Sequence, residues 1–124
     1  MWKSFKELEI WKLGHKLRLE MWQLTNDFPK EEKFVLVPQA RRAVHSICAN
    51  IAEGYGIYHY AESIHHFYIA RGSVEEVKDV LIVSKNLNYI SNQEFEKLND
   101  LCQQLVKGIN GYINYIKKQK DDDV

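Results

Sequence analysis

The residues of this 124-residue chain whose types and spacing could do chemistry are few and scattered. Glu62-Ser63-Ile64-His65 has the Glu-x-x-His spacing that puts a carboxylate and an imidazole on one helical face. A carboxylate-bridged di-metal bundle needs two such copies and two more inward glutamates, and this pattern fits once. His59 and His66 are seven residues apart, which in a helix separates them by ~10 Å along the axis, too far to share one ion. Solvent-exposed histidines, no metal and no cofactor are expected. Asn50, Glu53, Arg71 and Glu76 look like a polar active site. Arginine and glutamate on neighbouring helices more often pair to fix register, and asparagine near a helix end caps backbone, so a structural polar cluster is the better reading. With no nucleophile beside a base and no phosphate loop, a non-enzymatic protein is expected.

The remaining chemistry is electrostatic. Seventeen Lys and Arg balance seventeen Asp and Glu, so the whole molecule exerts no field that would gather nucleic acid or anionic lipid. Residues 1–52 nevertheless hold nine basic and six acidic side chains, and residues 53–104 hold four and eight. Arg41, Arg42 and His45, with Lys3, Lys6, Lys12, Lys16 and Arg18 of the first helical segment, are the candidate phosphate-contacting surface. Trp11 and Trp22 could stack on bases, but at apolar helical spacing they are expected to be core or interface anchors.

The elements that must position these groups are helices. Six Gly and two Pro against 45% hydrophobic residues argue against a turn-dense sandwich or a disordered chain. Cys48 and Cys102 form no Cys-x-x-Cys pair and sit in apolar patterns, so they read as reduced core thiols. The longest aliphatic run, Val80 to Val83, is far short of a membrane span, which points to a cytoplasmic protein. Ser4 and Glu7 have capping-box spacing for a first helix. Pro29 and its charged neighbours break the pattern, and a second helix follows with Pro38 in its first turn. Gly54-Tyr55-Gly56 should end that helix through a left-handed cap. A third pattern runs from about Tyr60 to about Leu87, with Gly72 mid-pattern, where close approach of a neighbouring helix would explain it. Ser91 to Glu94 offers a second capping box before a fourth pattern. The fold expected is all-α, an up-down-up-down four-helix bundle over residues 1–120, with 121–124 a frayed acidic tail.

The first helix carries two apolar stripes: Ile10, Leu13, Leu17, Met21, Leu24 and Phe28 on one, Leu8, Trp11, His15, Leu19 and Trp22 on the other. One bundle core needs only one stripe. With the small outer residues Ser46 and Ala49 of the second helix, the surplus residues Leu8, Trp11, Leu19 and Trp22 form a candidate interface between copies of the chain.

Read in order, Phe5 through His15, Phe28-Pro29-Lys30-Glu31-Glu32, Gln39 through Gly56, Tyr58-His59-Tyr60-Ala61-Glu62 and Ile69 through Glu76 resemble the bacterial four helix bundle protein family, the proteins encoded by intervening sequences of 23S ribosomal RNA genes. Asn50-Ile51-Ala52-Glu53-Gly54 and Ala70-Arg71-Gly72-Ser73 are its most specific stretches here. The resemblance implies a homopentamer of four-helix bundles related to the accessory variability determinant of diversity-generating retroelements, which works with a reverse transcriptase and binds nucleic acid. Two departures remove positive charge: Ile57 where arginine commonly follows Gly-Tyr-Gly, and His65 where a basic residue often follows Glu62. Fivefold repetition of a modest patch would still pool many phosphate contacts. The functional expectation is a homo-oligomeric bundle that associates with RNA or DNA; a protein-interaction scaffold, docking a reverse transcriptase or another protein, is the alternative.

Overall fold

The computed structural model describes residues 4–123. After a 3-10 turn over Phe5–Glu7, four helices follow: α1 (Glu9–Thr25), α2 (Leu36–Gly56), α3 (Tyr60–Asn86) and α4 (Asn92–Asp122). A second 3-10 turn, Lys30–Glu32, carries the chain around Pro29 between α1 and α2. Each helix packs on its sequence neighbours, and α4 closes the ring against α1, which gives the expected up-down bundle. The α2–α3 pair is the most intimate and the α1–α4 pair the loosest. Among the described residues no helix is long and apolar enough to cross a membrane.

The inward stripes meet as expected from 3.6-residue periodicity. Leu17 and Met21 of α1, Ile47 and Ile51 of α2, Phe67, Val74, Val77 and Leu81 of α3, and Leu105 and Ile109 of α4 are fully buried. Cys48 and Cys102 are buried free thiols in the same core, and burial pushes them up to about 11 and about 12 respectively.

Four local expectations are corrected. Ser4 caps the 3-10 turn, its hydroxyl accepting from the Lys6 amide at 3.3 Å, while α1 starts after Leu8 with no side-chain cap. Leu8 packs against the core instead, and that contact outweighs the capping box. The box at Ser91 does form, with Glu94 N–H donating to the hydroxyl at 3.0 Å and Ser91 N–H donating to the Glu94 carboxylate at 2.8 Å. No described glycine has positive φ; α2 runs through Gly56 into extended Ile57. The left-handed residue is Asn88 (φ 63°), just after α3, where Tyr89 N–H donates back to Ser84 O at 2.8 Å. Gly72 has no neighbour within 4 Å of where a Cβ would stand, whereas a Cβ on Gly54 would lie 2.8 Å from the Phe67 ring and one on Gly108 2.8 Å from Ile10. Close helix approach therefore belongs to Gly54 and Gly108. Finally, α4 continues through Asp122, two residues into the segment expected to fray.

Candidate nucleic-acid interface

The eight basic candidates do not form one surface. Lys12 and Lys16 lie four residues apart on α1 and line a groove against α4 with Glu9, Ile10, Leu13 and Gln104. Lys12 also pairs with Glu9 at 3.4 Å, both ends exposed. Arg18 is two residues beyond Lys16, which at about 100° per residue rotates it away from that groove and toward α2. Its guanidinium donates to His15 Nδ1 at 2.9 Å and reaches His45 Nδ1 at 3.4 Å. Because a guanidinium only donates, these contacts need a lone pair on Nδ1 of both imidazoles. His15 in turn stacks on Trp11, with ring centroids 4.9 Å apart.

Arg41 shares the α1–α2 face but is occupied. Its Nε donates to Thr25 Oγ1 at 3.1 Å, and its Nη2 donates to Asn26 Oδ1 at 2.8 Å and to the Trp22 carbonyl at 3.3 Å. The guanidinium also lies 4.7 Å from the Trp22 ring centroid. It therefore closes the carboxyl end of α1, where free carbonyls and the helix dipole favour a cation, and it immobilises Trp22. Arg42, one residue on, is exposed on another side of α2, beside Phe34, Val35, Gln39, Ser46 and Glu76. Lys3 falls outside the described residues, and Lys6 is exposed on the first 3-10 turn.

The candidate interface residues also divide. Leu8 and Trp11 pack against the core, Trp11 meeting Phe5 edge-on with centroids 5.3 Å apart. Leu19 and Trp22, at 58% and 43%, remain exposed. Ala49 is half-buried, and Ser46 belongs to the α2–α3 seam, where its hydroxyl accepts from Ser73 at 2.9 Å and from Asn50 Nδ2 at 3.1 Å.

The expected Asn50, Glu53, Arg71 and Glu76 cluster is replaced by three separate arrangements. Asn50 meets His66 Nδ1 at 2.9 Å, and Glu53 lies 3.5 Å from the same nitrogen. His66 is thus half-buried in the seam, whereas His59 and His65 are exposed as expected. Arg71 faces α4 and donates to Asn110 Oδ1 at 2.7 Å; among the described residues it pairs with no carboxylate. Glu76 sits beside Arg42 instead. Among the described residues no group of three or more His, Cys, Asp or Glu could hold a metal ion, and Glu62 is exposed beside exposed His65. Thr25, Asn26 and Ser73 are fixing partners that sequence reasoning left unassigned, while His15 and His66 were read as a stripe residue and an exposed histidine and not as partners of Arg18 and Asn50. Only His15, four residues from Trp11 on the surplus stripe, carried a local signal.

A family model described as 23S rRNA-intervening sequence protein matches residues 6–111. No curated protein matches the chain. Among solved structures, a protein of unknown function from the S23 ribosomal protein family of Bacteroides thetaiotaomicron VPI-5482 superposes with a TM-score of 0.76 at 20% identity, covering 84% of this chain and 97% of that one. At that identity the likeness speaks to the fold, which it shares.

Proposed function

The chain belongs to the 23S rRNA-intervening sequence protein family, and from that premise we propose that it is a non-enzymatic bundle that assembles with copies of itself, five as the resemblance implies, and associates with RNA or DNA. The observation that carries this reading is the open half of the second α1 stripe. Leu19 and Trp22 stand three residues apart on one face and are 58% and 43% exposed. Trp22 is already held by Arg41, so burying it in an interface costs little side-chain ordering. Covering the exposed half of such a side chain contributes about 1 kcal/mol, repeated at every subunit contact.

Assembly supports nucleic-acid association by addition. Arg18 is bound only to imidazoles, with no carboxylate to neutralise it among the described residues, and Lys16 makes no salt bridge there either. Repetition around an oligomer turns these few charges into many phosphate contacts. The scaffold reading, in which the outer surface docks a protein such as a reverse transcriptase, is favoured by one observation: Lys16, Arg18 and Arg42 point to three different sides.

Binding of a labelled single-stranded oligonucleotide across a salt series separates the two. Association should weaken steeply with salt and drop further in an Arg18→Glu/Arg42→Glu variant. Arg41 is unsuitable for this test because its substitution would uncap α1. Binding indifferent to salt and to both charge reversals would leave the scaffold.

A further inference from the structure

On the side of the bundle away from α2's contact with α1, α3 and α4 enclose a groove of about 460 Å³ lined by Tyr68, Arg71, Asn110, Ile113, Asn114 and Lys117. Its size falls in the range of small-ligand sites, roughly 300–1,000 Å³. We infer that this groove binds a nucleotide unit of a single nucleic-acid strand, with Arg71 and Lys117 on the phosphate and Tyr68 beside the base.

Two cations converge on one ring. The Arg71 guanidinium lies 4.9 Å and the Lys117 ammonium 5.7 Å from the Tyr68 centroid. Like charges gathered this closely repel unless an anion joins them. No carboxylate lines the groove, and neither cation makes a salt bridge among the described residues. Glu75, one turn beyond Arg71, is turned to Lys78 at 3.5 Å. The Lys117 ammonium draws the Tyr68 phenol below its ordinary range, so the local field already favours negative charge.

The amides extend the same logic. Arg71 donates to Asn110 Oδ1 at 2.7 Å, and since arginine cannot accept, the Asn110 amino group is fixed as a donor. Asn114 follows one turn later on α4, and every lining side chain except Ile113 can donate a hydrogen bond. A donor-rich pocket with two cations suits a phosphodiester, and the ring, 38% exposed, offers a base its open part once the phosphate draws the cations to itself. A duplex would hide its base faces from Tyr68.

This inference rests on the nucleic-acid reading above, yet it names a surface that reading does not use. The test is fluorescence anisotropy with a short labelled oligothymidine strand, using the full chain at low salt. Arg71→Gln/Lys117→Gln should weaken binding roughly tenfold or more and lower the salt slope by about 1.4, while Tyr68→Leu should cost about fivefold or more. Arg18→Gln should cost less than the groove pair. In the wild-type chain, which needs no folded variant, the side-chain amide resonances of Asn110 and Asn114 should shift on adding the strand while that of Asn50 in the seam stays. A strand that binds with unmoved Asn110 and Asn114 resonances and unchanged affinity in the groove variants would overturn the groove and leave the functional reading standing. A wild-type chain that does not bind the strand at low salt would overturn both.

Discussion

Two surfaces of this bundle set arginine against an aromatic ring, and they use the pair in opposite ways. At the α1–α2 face, Arg41 spends its donors on Thr25, Asn26 and the Trp22 carbonyl, so the cation serves the end of a helix and the ring is locked in place. At the α3–α4 groove, Arg71 and Lys117 crowd Tyr68 with one neutral amide, Asn110, bound to Arg71 and, among the described residues, no carboxylate. The first arrangement is complete within the subunit; the second is complete only when an anion arrives. Cation–aromatic contact alone therefore does not mark a binding site; what the remaining donors reach does.

The largest break in that contrast should come from truncating each arginine. Arg41→Ala removes three hydrogen bonds and the cation that closes the carboxyl end of α1, and should destabilise the fold by about 2 kcal/mol. Arg71→Ala removes one hydrogen bond, to Asn110, and should cost no more than about 1 kcal/mol, since it also removes a cation from beside Lys117. Urea unfolding of the two variants measures both; equal losses would erase the distinction.

The seam that separates the two surfaces can be probed through glycine. Gly54→Ala would drive a Cβ to 2.8 Å from the Phe67 ring and should cost about 1–3 kcal/mol. Gly72→Ala, next to Arg71, meets open space and should stabilise by about 0.5–1 kcal/mol, because only helix propensity changes. Thermal unfolding should move the two variants in opposite directions. A shared direction would mean that α3 does not present one packed and one open face.

Smaller effects follow from titration. Tyr68 should ionise at lower pH than Tyr89 and Tyr112, which are pushed up to about 12, Tyr89 by its hydrogen bond to Glu32 and Tyr112 by burial. Ultraviolet titration should show an early-ionising tyrosine that returns to the ordinary range in Lys117→Gln. The cysteines add an alkaline limit. Both thiols stay protonated in the folded chain well above the pH at which an exposed thiol ionises, so in that interval the unfolded chain binds fewer protons. Stability should be unaffected by these groups below about pH 8.5 and should fall between there and about pH 11–12, and a Cys48→Ala/Cys102→Ala variant should show a shallower alkaline decline.

Much of this was legible from residue order. The four helices followed from apolar periodicity, and the Ser91 box formed as its residue spacing predicts. At Ser4 the same residue spacing lost to the burial of Leu8, a tertiary contact that local sequence does not encode. Phase could have placed two sites correctly. Gly72 lies roughly opposite the stripe of Phe67, Ala70, Val74 and Val77, and Arg18 is turned well away from Lys12 and Lys16. The Arg71–Asn110 and Arg41–Asn26 contacts join residues 39 and 15 positions apart, across helix pairs whose axial register no local pattern sets. The groove on α3 and α4 was for that reason invisible until the helices were assembled, although its residues were all in view.

Leu19 and Trp22 should form the contact between copies of the chain, and molar mass by light scattering at micromolar concentration is the test. The wild-type chain should elute as a multiple of 14.7 kDa, and Leu19→Glu/Trp22→Glu should return it to a folded single subunit. A wild-type mass of 14.7 kDa, or an oligomer untouched by the double substitution, would contradict it.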